Sequence, residues 1–183
     1  HAQEWHLPRD PPDGGTAMNR IVRLFRHLVE TRWALRRRFT PAVLDRIETA
    51  VHAGESRHRG EIRVVIETDL DAWSILDGRT PRERALEVFA MHGVWDTAEN
   101  NGVLIYVLFA DRDMEIVADR GYSGQVAPAE WEAVCKAMEV EFRAGRWEQG
   151  VIAGIERASA VVERCFPWRE GDRNELPNRP ELM

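Results

Sequence analysis

Val103 to Ala110, VLIYVLFA, is a run of eight consecutive apolar residues, and it constrains the fold more than any other stretch of the chain. A strand with one wet face alternates polar and apolar positions; a strand with no polar position needs cover on both sides, as in the middle of a layered sheet. Upstream, EIRVVIET places Ile62, Val64, Val65 and Ile66 in adjacent or alternating β-branched positions, which reads as a first strand, also interior. Between the two runs, Thr80-Pro81-Arg82-Glu83 has the pattern of a capping box, in which hydroxyl and carboxylate each satisfy an orphan backbone donor. The helix it opens turns Ala85, Leu86, Phe89 and Ala90 inward and ends near Gly93. Strand, helix and strand in that order make a βαβ unit with parallel strands and a right-handed crossover.

The remaining elements build around this unit. The turn Ala110-Asp111-Arg112-Asp113 is short, so Met114 to Ala118 folds back antiparallel and the sheet is mixed. Thr40-Pro41 is an N-cap followed by proline, opening a helix with Val43, Leu44, Ile47 and Val51 on one face, expected to run to about Arg59 and close at Gly60. LDAWSILDGR reads as turn-rich. Two helices follow, Ala129 to Arg143 behind Pro128, and Glu148 to about Phe166, where Pro167 stops it. The fold class is therefore α/β: a three-layer α/β/α sandwich, Rossmann-like, around a small mixed sheet of three to four strands.

With 183 residues, 44% of them hydrophobic, the chain has material for one substantial core. The expected organisation is a disordered leader over 1–18 with Met18 as natural start, a basic amphipathic helix over 19–38, the α/β domain over 39–166 and a polar, loosely held tail over 167–183. Cys135 and Cys165 fall on apolar helix stripes, where a thiol acts as a small hydrophobe. No run approaches the twenty or so apolar residues that a membrane-spanning helix needs, and the N-terminal stretch lacks a signal-peptide pattern.

Charge is unevenly spread. Residues 19–38 carry Arg20, Arg23, Arg26, Arg32, Arg36, Arg37 and Arg38 against Glu30 alone, a net +6 in a chain whose total is −6. Ile21, Leu24, Phe25, Leu28 and Val29 recur there at helical spacing. Two readings follow: a helix that lies on an anionic membrane surface or an acidic partner, with Arg20, Arg23, Arg26, Arg36, Arg37 and Arg38 as the contact; or a helix that buries its stripe on the acidic body, the commoner fate of amphipathic helices. Nucleic acid is a weak third option and is not the expected partner, because the sequence pI is about 5.6 and no reading motif is present.

The antiparallel third strand has a topological consequence. Its exit, Asp119-Arg120-Gly121, returns beside the start of the second strand, TAENNG, so Asp96, Glu99, Asn100, Asn101 and Asp119 are expected at one sheet edge. Such hard oxygen donors suit Ca²⁺ or Mg²⁺. Asp69, Asp71, Asp111 and Asp113 gather at the opposite edge; the same residue types also serve turns and caps. Nucleophilic and nucleotide chemistry have no motif: GYSG lacks the strand-to-helix elbow, and neither a Walker loop nor a G-x-G-x-x-G turn is present. His52, His58 and His92 form no H-x-x-x-H pair and read as surface or packing residues.

NNGVLIYVLFADRDMEIVADRG, then a helix, then FRAGRWEQGVIAGI, resembles the TPM-domain family over about Thr40 to Phe166, in its short bacterial type without a transmembrane helix. The most specific pieces are Asn100-Asn101-Gly102, Asp111-Arg112, and Phe142-Arg143-x-Gly145 leading to Gly150. The resemblance implies an α/β/α sandwich, binding of divalent cations as in some relatives, and the acid phosphatase activity ascribed to the thylakoid-lumen branch. Carried onto this chain, it makes Asp96, Asn101 and Asp119 the metal residues and Asn100, Gly102, Arg120 and Gly121 the site loop, with Arg120 steadying developing charge. Two departures remove carboxylates: Arg36-Arg37-Arg38-Phe39-Thr40-Pro41 replaces an Asp-rich turn, and Asp119-Arg120-Gly121-Tyr122-Ser123-Gly124 lacks the glutamate of G-x-G-x-E. The expected function is a binding or scaffolding module, cytoplasmic and peripheral to the membrane, acting through a protein partner or a membrane surface. The alternative is a divalent-cation-dependent, acid-phosphatase-like hydrolase.

Overall fold

The computed structural model describes residues 32–183. In chain order the elements are α1 (Arg32–Arg38), α2 (Pro41–Glu55), β1 (Glu61–Glu67), α3 (Ala72–Leu76), α4 (Pro81–Met91), β2 (Gly102–Leu108), β3 (Asp113–Ala118), α5 (Pro128–Arg143), α6 (Trp147–Cys165) and β4 (Glu181–Leu182). They form a four-stranded mixed sheet in the order β3-β2-β1-β4, with helices on both faces. β1 runs parallel to β2 from Glu61↔Gly102 to Glu67↔Leu108, and β3 returns antiparallel along β2.

The apolar runs divide by parity, because successive side chains of a strand point to opposite faces. Val103, Ile105 and Val107 join Ile62, Val64 and Ile66 in the larger core, beneath α2, α5 and α6. Leu104, Tyr106 and Leu108 join Val65 in a smaller core beneath α3 and α4. The capping box of α4 forms as its sequence predicts: Glu83 N–H donates to Thr80 Oγ1 at 3.2 Å, and Thr80 N–H donates to the Glu83 carboxylate at 2.8 Å.

Four expectations are corrected. α2 ends at Glu55 rather than near Arg59, because the chain is drawn into a bridge between His58 and Pro167, with Arg59 N–H donating to Phe166 O. Gly60 therefore closes no helix; it admits close packing, since a Cβ there would lie 2.3 Å from Val162 Cγ1 and 2.8 Å from the Tyr122 hydroxyl. The turn-rich stretch contains α3, started by Asp71, whose carboxylate accepts from Ser74 N–H at 3.0 Å. On α4 the inward set is Ala85, Val88 and Phe89, while Ala90 is exposed. The stretch expected as a loose tail supplies β4, which pairs with β1 through Val65↔Glu181 and Ile66↔Leu182.

Both cysteines are free thiols, Cys135 buried and Cys165 half-buried. Among the described residues no helix is long and apolar enough to cross a membrane. Arg20, Arg23 and Arg26, with the expected leader, lie outside the described residues.

Candidate functional site

The hairpin brings the end of β3 to the start of β2. Asp119 N–H donates to Gly102 O and Gly121 N–H to Asn100 O, each at 2.9 Å. The turn before β2 is tight: Asn100 has φ 54°, in the left-handed region that asparagine tolerates better than most residues. Its Oδ1 accepts from Arg120 Nε at 2.8 Å. Two glycines are required by space. A Cβ on Gly102 would stand 1.9 Å from Val94 O, and one on Gly121 would stand 2.4 Å from Asn100 O.

Behind this loop lies a buried polar layer. Asn101 is 1% exposed; its Nδ2 donates to Arg59 O at 2.6 Å, and its own carbonyl accepts from the Tyr122 hydroxyl at 2.7 Å. Asp119, 4% exposed, caps the short helical turn Arg120–Tyr122, with Oδ1 accepting from Arg120 N–H at 2.7 Å. Burial raises the Asp119 carboxyl above the usual range, opposed by that N–H and by the Arg120 guanidinium. Among the described residues, Asn101 Oδ1 and Asp119 Oδ2 find no donor. Buried acceptors of this kind call for a donor, a water or a cation.

Asn100, Asn101, Gly102, Asp119, Arg120 and Gly121 thus come together. Asp96 does not join them; it is exposed on the turn after α4 and makes no side-chain hydrogen bond to Asn101 or Asp119. Glu99 is drawn off into an ion pair with Arg59. Among the described residues, no three His, Cys, Asp or Glu side chains are placed to hold a metal ion. His58 is wholly buried, which lowers its pKa to about 4 and keeps it neutral at physiological pH.

The opposite edge holds a cavity of about 350 Å³ lined by Glu67, Asp69, Leu70, Asp71, Ser74, Arg79 and Arg84. Of the four aspartates expected at this edge, Asp69 and Asp71 line it and Asp111 and Asp113 do not. The charges sequence reasoning missed are already paired. Glu67 accepts from Arg84 Nε at 2.9 Å, Arg84 Nη2 at 2.8 Å and the Tyr106 hydroxyl at 2.6 Å. The signal was available: an acidic residue ending a strand fit for burial needs partners, because an unpaired buried charge is costly.

A third feature is the outer face of α1. Leu35 and Phe39 are buried in the larger core, Phe39 edge-on to Phe109 at 6.5 Å. Trp33 is 66% exposed, Arg36, Arg37 and Arg38 are exposed, and the Arg37 guanidinium lies 4.5 Å from the centre of the Trp33 ring.

Residues 36–161 match the family profile described as TPM domain. Among solved structures, the NMR structure of the BA42 protein from the psychrophilic bacterium Bizionia argentinensis is similar. It has a TM-score of 0.67 and 32% sequence identity, covering 79% of this chain and 94% of that one. No curated protein matches.

Proposed function

The chain belongs to the TPM-domain family, and from that premise we propose that it acts as a binding or scaffolding module, docking on an anionic membrane surface through the basic outer face of α1. The observation that carries this reading is the division of labour between the two sides of α1 and the residue that follows it. Leu35 and Phe39 fix α1 to the core, so Trp33, Arg36, Arg37 and Arg38 are presented by a rigid base. A tryptophan beside arginines is the composition of an interfacial contact. Three arginines near an anionic surface contribute about 1 kcal/mol each, to which the Trp33 ring adds its own interfacial affinity. Arg20, Arg23 and Arg26 extend the positive charge upstream in sequence. Peripheral attachment from the cytoplasmic side, where anionic lipid is concentrated, is the location this reading requires.

Cosedimentation with vesicles of phosphatidylserine and phosphatidylcholine tests it. The protein is expected to pellet with anionic vesicles, to stay in solution with neutral ones, and to be released by salt. Substituting Arg36, Arg37 and Arg38 by glutamate should abolish pelleting without altering the circular dichroism spectrum. Equal partition of that variant and the wild type would refute the membrane role. Retention by an acidic protein in place of vesicles would move the partner from lipid to protein.

A second reading, a divalent-cation-dependent, phosphatase-like hydrolase, is favoured by the two unpartnered oxygens, Asn101 Oδ1 and Asp119 Oδ2. They lie at the edge where the resemblance implies Ca²⁺ or Mg²⁺. The donor set is one carboxylate and one amide, short of the six to eight oxygens that Ca²⁺ takes, and Asp96 stands apart. The residues as placed do not fit a resident cation, and no catalytic step is derived through one. An amide NMR titration with Ca²⁺ and then Mg²⁺ decides: saturable shifts confined to residues 95–102 and 119–124 would restore the hydrolase, and silence to millimolar metal would remove it.

A further inference from the structure

The strand that pairs with the outer edge of β1, β4, lies beyond the matched TPM region. Glu175–Met183 lies along that edge, bending at Leu176 and Arg179 before it pairs as β4. Met183 N–H donates to Ile66 O and Thr68 N–H to Met183 O, both at 2.9 Å, continuing the short β4 ladder. Beneath the ladder, β1 and α2 supply sockets. Leu176 is buried in the smaller core, and its N–H donates to the Glu61 carboxylate at 3.1 Å. Arg63 donates to Pro177 O at 3.0 Å, to Arg179 O at 2.7 Å and to the Glu181 carboxylate. Asn178 Nδ2 donates to Glu55 at 2.6 Å, and Arg179 to Asp45 and Glu48 at 2.8 Å.

This is the pattern of peptide recognition by strand addition, with main-chain bonds along an edge and side-chain pockets beside it. Pro177 and Pro180 pre-set an extended backbone, which lowers the entropy lost on docking. The connection to the domain is of a different kind. Residues 167–175 are exposed throughout, Gly171 has φ 87°, and the side chains of residues 169–173 make no hydrogen bond or ion pair among the described residues. A segment tied by such a connection can leave its sockets while the sheet and helices stay intact.

We propose that the β1 edge is a strand-addition site whose occupant is Glu175–Met183, held in cis in the single chain and supplied in trans by a second copy of the chain. Both copies present the same sockets, so reciprocal exchange rebuilds every contact named above. Leu176 and the acidic Glu181 opposite Arg63 set the register of any incoming segment.

Two full-length variants separate groove from segment. Leu176→Asp unseats its own segment and leaves the groove intact; Arg63→Met damages the groove and leaves a sound segment free. Each alone is expected to be monomeric by light scattering, and their equimolar mixture to form a heterodimer. A synthetic peptide of residues 174–183 should bind Leu176→Asp, shifting the amides of Val65, Ile66 and Thr68. It should bind wild type about a hundred-fold more weakly, because the wild type's own segment competes at about millimolar effective concentration. Should Leu176→Asp fail to fold, Glu181→Arg, which leaves the smaller core untouched, replaces it in both assays. A folded variant that neither binds peptide nor dimerises in the mixture overturns the proposal; peptide binding without a heterodimer overturns the role of the second copy.

Discussion

Replacing Glu55 by glutamine isolates one half-buried carboxyl and its effect on stability. Glu55 ends α2 against β1, accepting from Ile62 N–H at 3.3 Å and Asn178 Nδ2 at 2.6 Å, with no cation paired to it among the described residues. Burial, then the neighbouring Glu61 and more weakly Asp172, raise its pKa from 4.5 to about 8. A carboxyl raised in the folded state binds its proton more tightly there than in the unfolded chain. Its contribution to stability is complete below the unfolded value and is lost as pH rises through the folded one. Linkage between these two values makes the wild type lose about 3 kcal/mol between pH 5.5 and 8.5 through this group. The glutamine side chain keeps an acceptor and a donor but cannot ionise, so that loss should vanish. Urea unfolding at the two pH values measures it: the stability of Glu55→Gln relative to wild type should rise by about 3 kcal/mol on going to pH 8.5. A variant whose pH dependence parallels the wild type would show that Glu55 is ionised and solvated in the native protein, and the reasoning would be wrong.

Arg84→Met leaves Glu67, 7% exposed, with the Tyr106 hydroxyl as its remaining donor; unfolding should show a loss of about 3 to 5 kcal/mol, most of it recovered when Glu67 is also made Met. Gly102→Ala drives a Cβ to 1.9 Å from a backbone oxygen that cannot yield, and about 3 kcal/mol or more should disappear from the calorimetric stability. Gly145→Ala meets nothing within 4 Å but has φ 74°, so it should cost only about 1 to 2 kcal/mol. Equal costs for the two alanines would show that the Val94 carbonyl yields to the added methyl and does not by itself require glycine at position 102.

How far the fold could be read ahead follows from the range of each signal. The two apolar strands, the capping box and the short hairpin turn are local patterns, and each produced the element its residues predict. β4 has no such pattern. Two residues between prolines and the last methionine carry no periodicity, and their place is decided by Arg63, more than a hundred residues away in sequence. The end of α2 was lost for a related reason: Gly60 looks like a helix terminator, but its smallness serves Tyr122 and Val162 across the fold. At the Asn101–Asp119 edge, topology alone brought the two backbones together. Which side chains then converge depends on how each turn is directed, and Asp96 and Glu99 are turned elsewhere.

β1 carries the clearest unread message. Its even residues, Ile62, Val64 and Ile66, enter the larger core, while the other face presents Glu61, Arg63 and Glu67 beside Val65. All three charged residues are buried, so that face needs a polar cover, and two different covers share the work. α4 provides Arg84 for Glu67; the segment from Leu176 onward provides an N–H for Glu61 and carbonyl oxygens for Arg63. α4 lies within the matched TPM region, and the segment does not. Alternating charged residues in a strand otherwise fit for burial therefore point to polar partners from elsewhere in the fold, and for Glu61 and Arg63 those partners come from beyond the matched domain.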